Sequence, residues 1–354
     1  MTGSTNPEYN IMRKLLIIIL ALSMGITACT TGGSGEDKLF EKANLVAWCI
    51  VPFDSENRTP QERAEMLDDL DLKHFAYDYR DEHIPSFKLE IETLRDHHIE
   101  LSAVWLWVDP RWEEPLNTAG REVFDILRET GTQTEIWVGF PDNAFEGKAD
   151  DKCLTMAVEV VREVLQEAED IGCTLALYNH GGWFGEPVNL IRIVESVGSE
   201  KIRIVYNFHH AHHQVDQFEA LLQKMLPYLS TININGMKVE GPKIITLGEG
   251  DRELEMLGII RASGYSGPIG IIGHTEGEDI RLVLERNLKG LERMKLNNSS
   301  PIRRCQKCPV AAWGRPADGA PSHTSPAIPS ACEAHRSVQP VSCFRALHPG
   351  TAPA

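Results

Sequence analysis

Short apolar runs alternate with longer amphipathic runs through the middle of the chain, from about Asp37 to Asn297. The apolar runs predict strands over residues 45–50, 74–77, 101–107, 135–140, 174–178, 202–208, 231–234 and 268–272. Helical spacing fills the intervals: one helix opens at Thr59-Pro60, and others cover 86–97, 119–130, 151–171, 187–197, 215–226, 251–263 and 278–294. Thr59, Pro60 and Glu62 spell a capping box with proline at the first helical position. Asp251 is placed to cap the seventh helix. Eight strands, each followed by a helix, is the count of a (β/α)8 TIM barrel, an α/β fold. The strands are nearly continuous apolar runs, as a parallel sheet covered on both faces requires. An open doubly wound sheet would need a glycine-rich phosphate turn after the first strand, where Val51-Pro52-Phe53-Asp54 stands instead.

The pattern breaks at both ends. Met12-Arg13-Lys14 precede an uncharged apolar stretch from Leu15 to Ala28. Its helical length of about 21 Å is short of a hydrocarbon core of about 30 Å, so it reads as a signal-peptide core and not a membrane span. It ends Ile26-Thr27-Ala28-Cys29, which resembles a bacterial lipoprotein lipobox. That resemblance implies cleavage before Cys29, lipid on its thiol and a tether over 29–43. Met12 is a better start than Met1, so residues 1–11 read as a start-site extension. From Asn298 onward no apolar period persists, and nine of the twenty prolines fall in these last residues. Residues 298–354 are expected to be a disordered, dispensable tail. Its Cys305, Cys308, Cys332 and His335 lack the apolar framework of a zinc knuckle. The predicted order is therefore signal peptide (1–28), tether (29–43), barrel (44–297) and tail (298–354).

Composition narrows the function. The chain is 42% apolar and 24% charged with a net charge of −16, which suits a globular protein and opposes binding nucleic acid through a basic face. A lipid anchor would be its contact with a membrane, placing it in the bacterial cell envelope. An envelope protein meets free sugars, oligosaccharides or their oxidised forms more readily than phosphate esters, which the negative charge also disfavours. Cys49, Cys153 and Cys173 remain in the barrel. The last two flank a helix that would hold them about 27 Å apart, so no disulfide is expected there.

Barrel sites lie at the C-terminal ends of the strands. Those positions carry Asp78, Arg80 and His83 after the second strand and Trp107 and Asp109 after the third. Tyr178, Asn179 and His180 follow the fifth; Asn207, His209, His210, His212 and His213 follow the sixth. Asn233, Asn235 and Lys238 follow the seventh, and His274 the eighth. Seven of thirteen histidines thus share one rim. His83, His212 and His213 suit solvated loops, and Trp105 and Trp107 suit packing, with one ring available to stack on a sugar. Asp78 and Arg80 form either an ion pair or a substrate clamp, and Glu249 is either structural or in the site.

Residues 175–182 (LALYNHGG), 247–251 (LGEGD) and 263–269 (SGYSGPI) resemble motifs of the sugar phosphate isomerases/epimerases, the xylose-isomerase-like TIM barrels. The resemblance spans nearly all of residues 44–295. It implies a divalent metal held by Glu, Asp, His and Glu at the ends of strands five to eight, and proton shuttling through an enediolate. At the first three positions this chain has Tyr178, Asn207 and Asn233, and near the last it reads Ile271-Ile272-Gly273-His274. Neutral amides are poor ligands for a hard cation, which speaks against the usual metal site. His180 and His210 match family histidines.

Three readings stay open. The first is a carbohydrate isomerase, epimerase or related lyase with His180 and His210 as proton carriers titrating near neutral pH. Asp78, Arg80, Trp107, Tyr178, Asn207, Asn233, Glu249 and His274 would then contact the small-molecule substrate. The second is a metalloenzyme with a rearranged set such as His180, His210 and His274. The third is a non-catalytic sugar-binding lipoprotein. In the first, His180 and His210 are expected in the largest pocket of the rim, with Asn207 and Asn233 beside them.

Overall fold

Eight parallel strands close on themselves in chain order. They are β1 (Leu45–Trp48), β2 (His74–Tyr77), β3 (Glu100–Trp107), β4 (Glu135–Gly139), β5 (Thr174–Tyr178), β6 (Ile202–Asn207), β7 (Leu229–Ile234) and β8 (Ile269–Ile272). Closure runs through β1 against β8, in register from Leu45 opposite Ile269 to Trp48 opposite Ile272. One helix follows each strand: α1 (Pro60–Asp69), α2 (Ile84–Asp96), α3 (Thr118–Thr130), α4 (Asp150–Asp170), α5 (Pro187–Val197), α6 (Phe218–Met225), α7 (Glu253–Ser263) and α8 (Ile280–Ser299). This computed structural model describes residues 38–299. The expected signal peptide, Cys29 and the tail lie outside the described residues. Among the described residues no helix is long and apolar enough to cross a membrane.

Local chemistry explains the helix ends. Thr59 Oγ1 accepts the Glu62 N–H, and the Glu62 carboxylate accepts the Thr59 N–H at 2.9 Å, so the capping box is present. Asn117 Oδ1 accepts the Gly120 N–H at 2.8 Å at the start of α3. Two expectations are corrected here. Asp251 does not cap α7; it binds Lys238 Nζ and the Val239 N–H. The buried Glu253 carboxylate instead collects the N–H groups of Met237, Gly250 and Arg252. The predicted tether also reaches too far. Residues 38–44 form two short 3-10 turns, Phe40 is buried, and Lys42 Nζ donates to the Leu70 carbonyl.

Strand alternation divides the core in two. Outward residues pack against the helices in one large apolar layer that includes Leu45, Ala47, Val104 and Leu106. Inward residues fill the barrel: Val46 and Trp48, Ala103 and Trp105, Trp137, and Ala176 and Tyr178. Small residues below leave room for large aromatic rings above. Gly139 belongs to this fit, because a Cβ there would stand 2.1 Å from the Trp105 ring. Cys49, Cys153 and Cys173 are all buried and free, as expected for the barrel.

Candidate active site

The Asn-His-Gly-Gly turn after β5 builds one wall of the site. Asn179 exchanges hydrogen bonds with the end of β6: its Nδ2 donates to the Asn207 carbonyl at 3.1 Å, and its Oδ1 accepts the Asn207 N–H at 2.7 Å. That pair pins the chain on either side of His180 and His210. Gly181 and Gly182 then let the loop after β4 approach. A Cβ on Gly181 would stand 2.1 Å from Asp142 Oδ1, and one on Gly182, at φ 61°, would stand 2.1 Å from the Asp142 carbonyl. The close approach sets Asp142 Oδ1 3.1 Å from His180 Nδ1, near enough to favour a proton on that nitrogen without regular hydrogen-bond alignment.

After β6 the chain turns into a 3-10 segment, Phe208–Gln217, broken at Ala211, so α6 starts three residues later than expected. Asn207 Oδ1 accepts the His209 N–H at 3.2 Å and starts this turn. His209 and His210 are thereby both delivered to the barrel mouth. Their ring centroids are 3.7 Å apart, His210 lies 4.3 Å from His180, and His209 lies 5.8 Å from His274.

These rings line a cavity of about 140 Å³. Its aromatic side is Trp48, Phe53, Trp105, Trp107 and Tyr178; its polar side is Asp78, Arg80 and the four histidines, with Cys49 between. Cys49, at φ 57°, ends β1 in the left-handed region, a strained conformation common beside functional sites. Trp107 is 36% exposed and meets the His180 ring edge-on at 4.7 Å, so it is a rim residue more than a packing one.

The predicted site residues divide. Asp78, Arg80, Trp107, Tyr178, His180, His210 and His274 all line the cavity. Asn207 and Asn233 do not. Both are fully buried in its floor, where Asn207 Nδ2 donates to the Tyr178 hydroxyl. Trp48 Nε1 donates to the same hydroxyl at 3.0 Å. Glu249 is exposed in the loop after β7, outside the cavity lining. His83 accepts the Arg80 N–H, His212 binds the Lys238 carbonyl and His213 faces Glu186, so these three serve loops. Nor is the cavity the largest hollow of the rim, where one of about 400 Å³ opens between the loops after β4 and β5. Trp48 and Phe53 join the site without having been singled out, and His209, one of the seven rim histidines, joins it without having been given a role. The signal for Trp48 was its inward register beside Val46.

Burial dominates the electrostatics. The Asp78 carboxyl is enclosed and one oxygen has no partner, so its pKa is pushed up to about 7. Arg80 and the N–H groups of Val51 and Asp78 oppose that rise only in part. The imidazoles move the other way. Burial, then His274 and His180, pull His209 down to about 3. Burial and three neighbouring imidazoles hold His210 far below its ordinary value. Burial lowers His180 and His274, with Asp142 and Glu276 opposing. The expectation that His180 and His210 titrate near neutrality is therefore corrected: they are neutral there, and Asp78 is the group in the cavity that titrates.

The divalent metal implied by the resemblance does not fit this donor set. Tyr178 is a buried phenol held protonated by desolvation, and Asn207 and Asn233 are neutral amides. Among the described residues no three His, Cys, Asp or Glu side chains are arranged to hold a metal ion. That also counts against the set His180, His210 and His274, since His209 stands between the last two.

Comparison with known proteins agrees with the architecture. No curated protein matches the chain significantly. Among solved structures, the chain is similar to 3-keto-D-glucoside 4-epimerase from E. coli, at 14% identity and a TM-score of 0.54, over 72% of this chain and 99% of that one. It is similar to L-ribulose 3-epimerase at 14% identity and a TM-score of 0.54, over 75% and 100%. It is similar to a zinc-bound IOLI protein at 15% identity and a TM-score of 0.55, over 72% and 97%. At such identities the likeness is one of fold. Residues 56–292, which contain β2 to β8 and every polar side chain of the cavity, match a family profile, and the chain belongs to the xylose isomerase-like TIM barrel family.

Proposed function

We propose that the barrel is a sugar isomerase or epimerase, or a related lyase, that moves protons with its own side chains and without the family's carboxylate-held cation. The observation that carries this is Asp78: a buried carboxyl with a pKa of about 7 in the same cavity as four neutral imidazoles. In a closed eight-stranded barrel, β2 is three strands from β5 and diametrically opposite β6. Asp78 thus approaches a bound sugar from one side, and His180 and His210 from the other.

The chemistry follows from these positions. Asp142 favours the proton on His180 Nδ1, which leaves Nε2 free to accept one. His180 or Asp78 takes the proton from the carbon next to a sugar carbonyl, and the electron pair moves onto the carbonyl oxygen to give an enediolate. His210, neutral, donates a hydrogen bond to that oxygen. Return of a proton to the same carbon from the opposite face gives the epimer; return to the neighbouring carbon, with the hydroxyl proton of the enediolate passing from one oxygen to the other, gives the aldose–ketose isomer. The tryptophan rings supply apolar faces for the sugar, and Arg80 a hydroxyl donor. Aldo- and keto-sugars incubated with the protein in D2O should acquire deuterium next to the carbonyl, before and after chelator treatment. Asp78→Asn and His180→Ala should each slow this about a hundredfold or more. Binding without exchange would make the protein a sugar-binding barrel; exchange abolished by the chelator would restore a metal mechanism.

The proposal includes the address: an exported lipoprotein anchored through Cys29. Cys29→Ala should release the protein from the membrane fraction.

A further inference from the structure

A second hollow, about 400 Å³, opens on the rim beside the cavity. Asp142, Asn143, Phe145, Glu146 and Trp183 line it. Asp142 of this hollow, its side chain 70% exposed, sets a carboxylate oxygen 3.1 Å from Nδ1 of His180, which lines the cavity. The cavity itself, at about 140 Å³, is smaller than this outer hollow and enclosed by aromatic and imidazole rings. It suits one sugar unit; anything attached to that unit must leave through the mouth.

The outer hollow is built to receive it. Trp183 is held in one orientation: its Nε1 donates to Asp150 Oδ1 at 2.8 Å, Phe145 packs at 5.2 Å and the Arg192 guanidinium lies 6.0 Å from its ring. Asn143 and Glu146 are exposed around it and, with Asp142, offer acceptors for hydroxyl groups. An indole face edged by amide and carboxylate oxygens is what a pyranose, with apolar C–H faces and equatorial hydroxyls, can use. The charged lining is acidic, Asp142 and Glu146, which repels phosphate and carboxylate groups.

We infer that the hollow around Trp183 is a subsite for a second, uncharged sugar unit, so that the substrate is a glycoside or oligosaccharide and not a free or phosphorylated monosaccharide. This rests on the proposed sugar chemistry and narrows its substrate.

The test is calorimetric titration, with saturation-transfer NMR, of D-glucose, D-galactose, D-mannose and D-fructose against cellobiose, maltose and lactose. At least one disaccharide should bind about tenfold or more tighter than its component monosaccharides, with saturation on both rings. Trp183→Ala should cancel that gain and leave monosaccharide binding unchanged. Asn143→Ala combined with Glu146→Ala, two exposed positions that do not threaten folding, should reduce it. Monosaccharide binding with no gain for any disaccharide would overturn the subsite and leave the proposed function standing. A gain that survives both variants would overturn its placement. Failure of every sugar to bind would overturn the sugar reading and the subsite with it.

Discussion

Replacing Asp78 by asparagine should make the protein more stable and less active, and the size of the first effect follows from burial. A carboxyl whose folded pKa is raised is favoured by the fold in its protonated form. That stabilisation is complete below the ordinary value of 3.8 and is lost as pH rises through about 7. Across this interval each tenfold change in proton activity is worth about 1.36 kcal/mol. A fully enclosed Asp78 therefore weakens the fold above pH 7 by on the order of 4 kcal/mol. Asparagine has the same shape, carries no charge and keeps an acceptor for the Val51 N–H. Urea unfolding of Asp78→Asn should match the parent at pH 4 and exceed it at pH 8 by a few kcal/mol. The melting temperature at pH 8 should rise by roughly 10 °C. An equal stability difference at both pH values, or a loss at pH 8, would show that Asp78 is not held out of water and would remove the reason for giving it the proton.

His210→Ala should lower turnover about a hundredfold or more, as His180→Ala should, with little change in melting temperature because both rings sit at the mouth and not in the packed core. Gly181→Ala should push the exposed Asp142 carboxylate away from His180, cutting activity while sparing stability. Gly182→Ala meets the Asp142 carbonyl at a left-handed φ and should cost roughly 1–3 kcal/mol in thermal unfolding. Thr59→Ala removes the capping box and should cost about 1 kcal/mol with activity unchanged.

The fold was readable because most strands are nearly continuous apolar runs and several helices have a clear start or stop. Proline opens α1 and α5, and left-handed glycines close α3, α5 and α7. Phe208–Gln217 escaped because FHHAHH has no helical period, and its 3-10 turn depends on one Asn207 side chain. The site was legible as a cluster of residues but not as a set of depths. Alternation shows that Asn207 and Asn233 avoid the helix side of the sheet; whether they line the mouth or lie in its floor depends on where the Trp48 and Tyr178 rings end. Proton affinities were out of reach for the same reason. His210 is kept neutral by burial and then by imidazoles of its own turn, β5 and β8, and Asp78 is kept protonated by enclosure, and both are properties of the closed barrel.

The floor also bears on how this branch of the family can change. Tyr178, Asn207 and Trp48 share one hydroxyl, with Asn233 against it, all without solvent. Restoring the family's carboxylate at position 178 or 207 would place an anion in a dry layer with no cation to receive it, at a cost of several kcal/mol. A cation would need all three changes before it repaid any of them. On the proposed metal-free reading, each backward step is therefore opposed on its own, and the floor acts as a ratchet that leaves change to the residues above it.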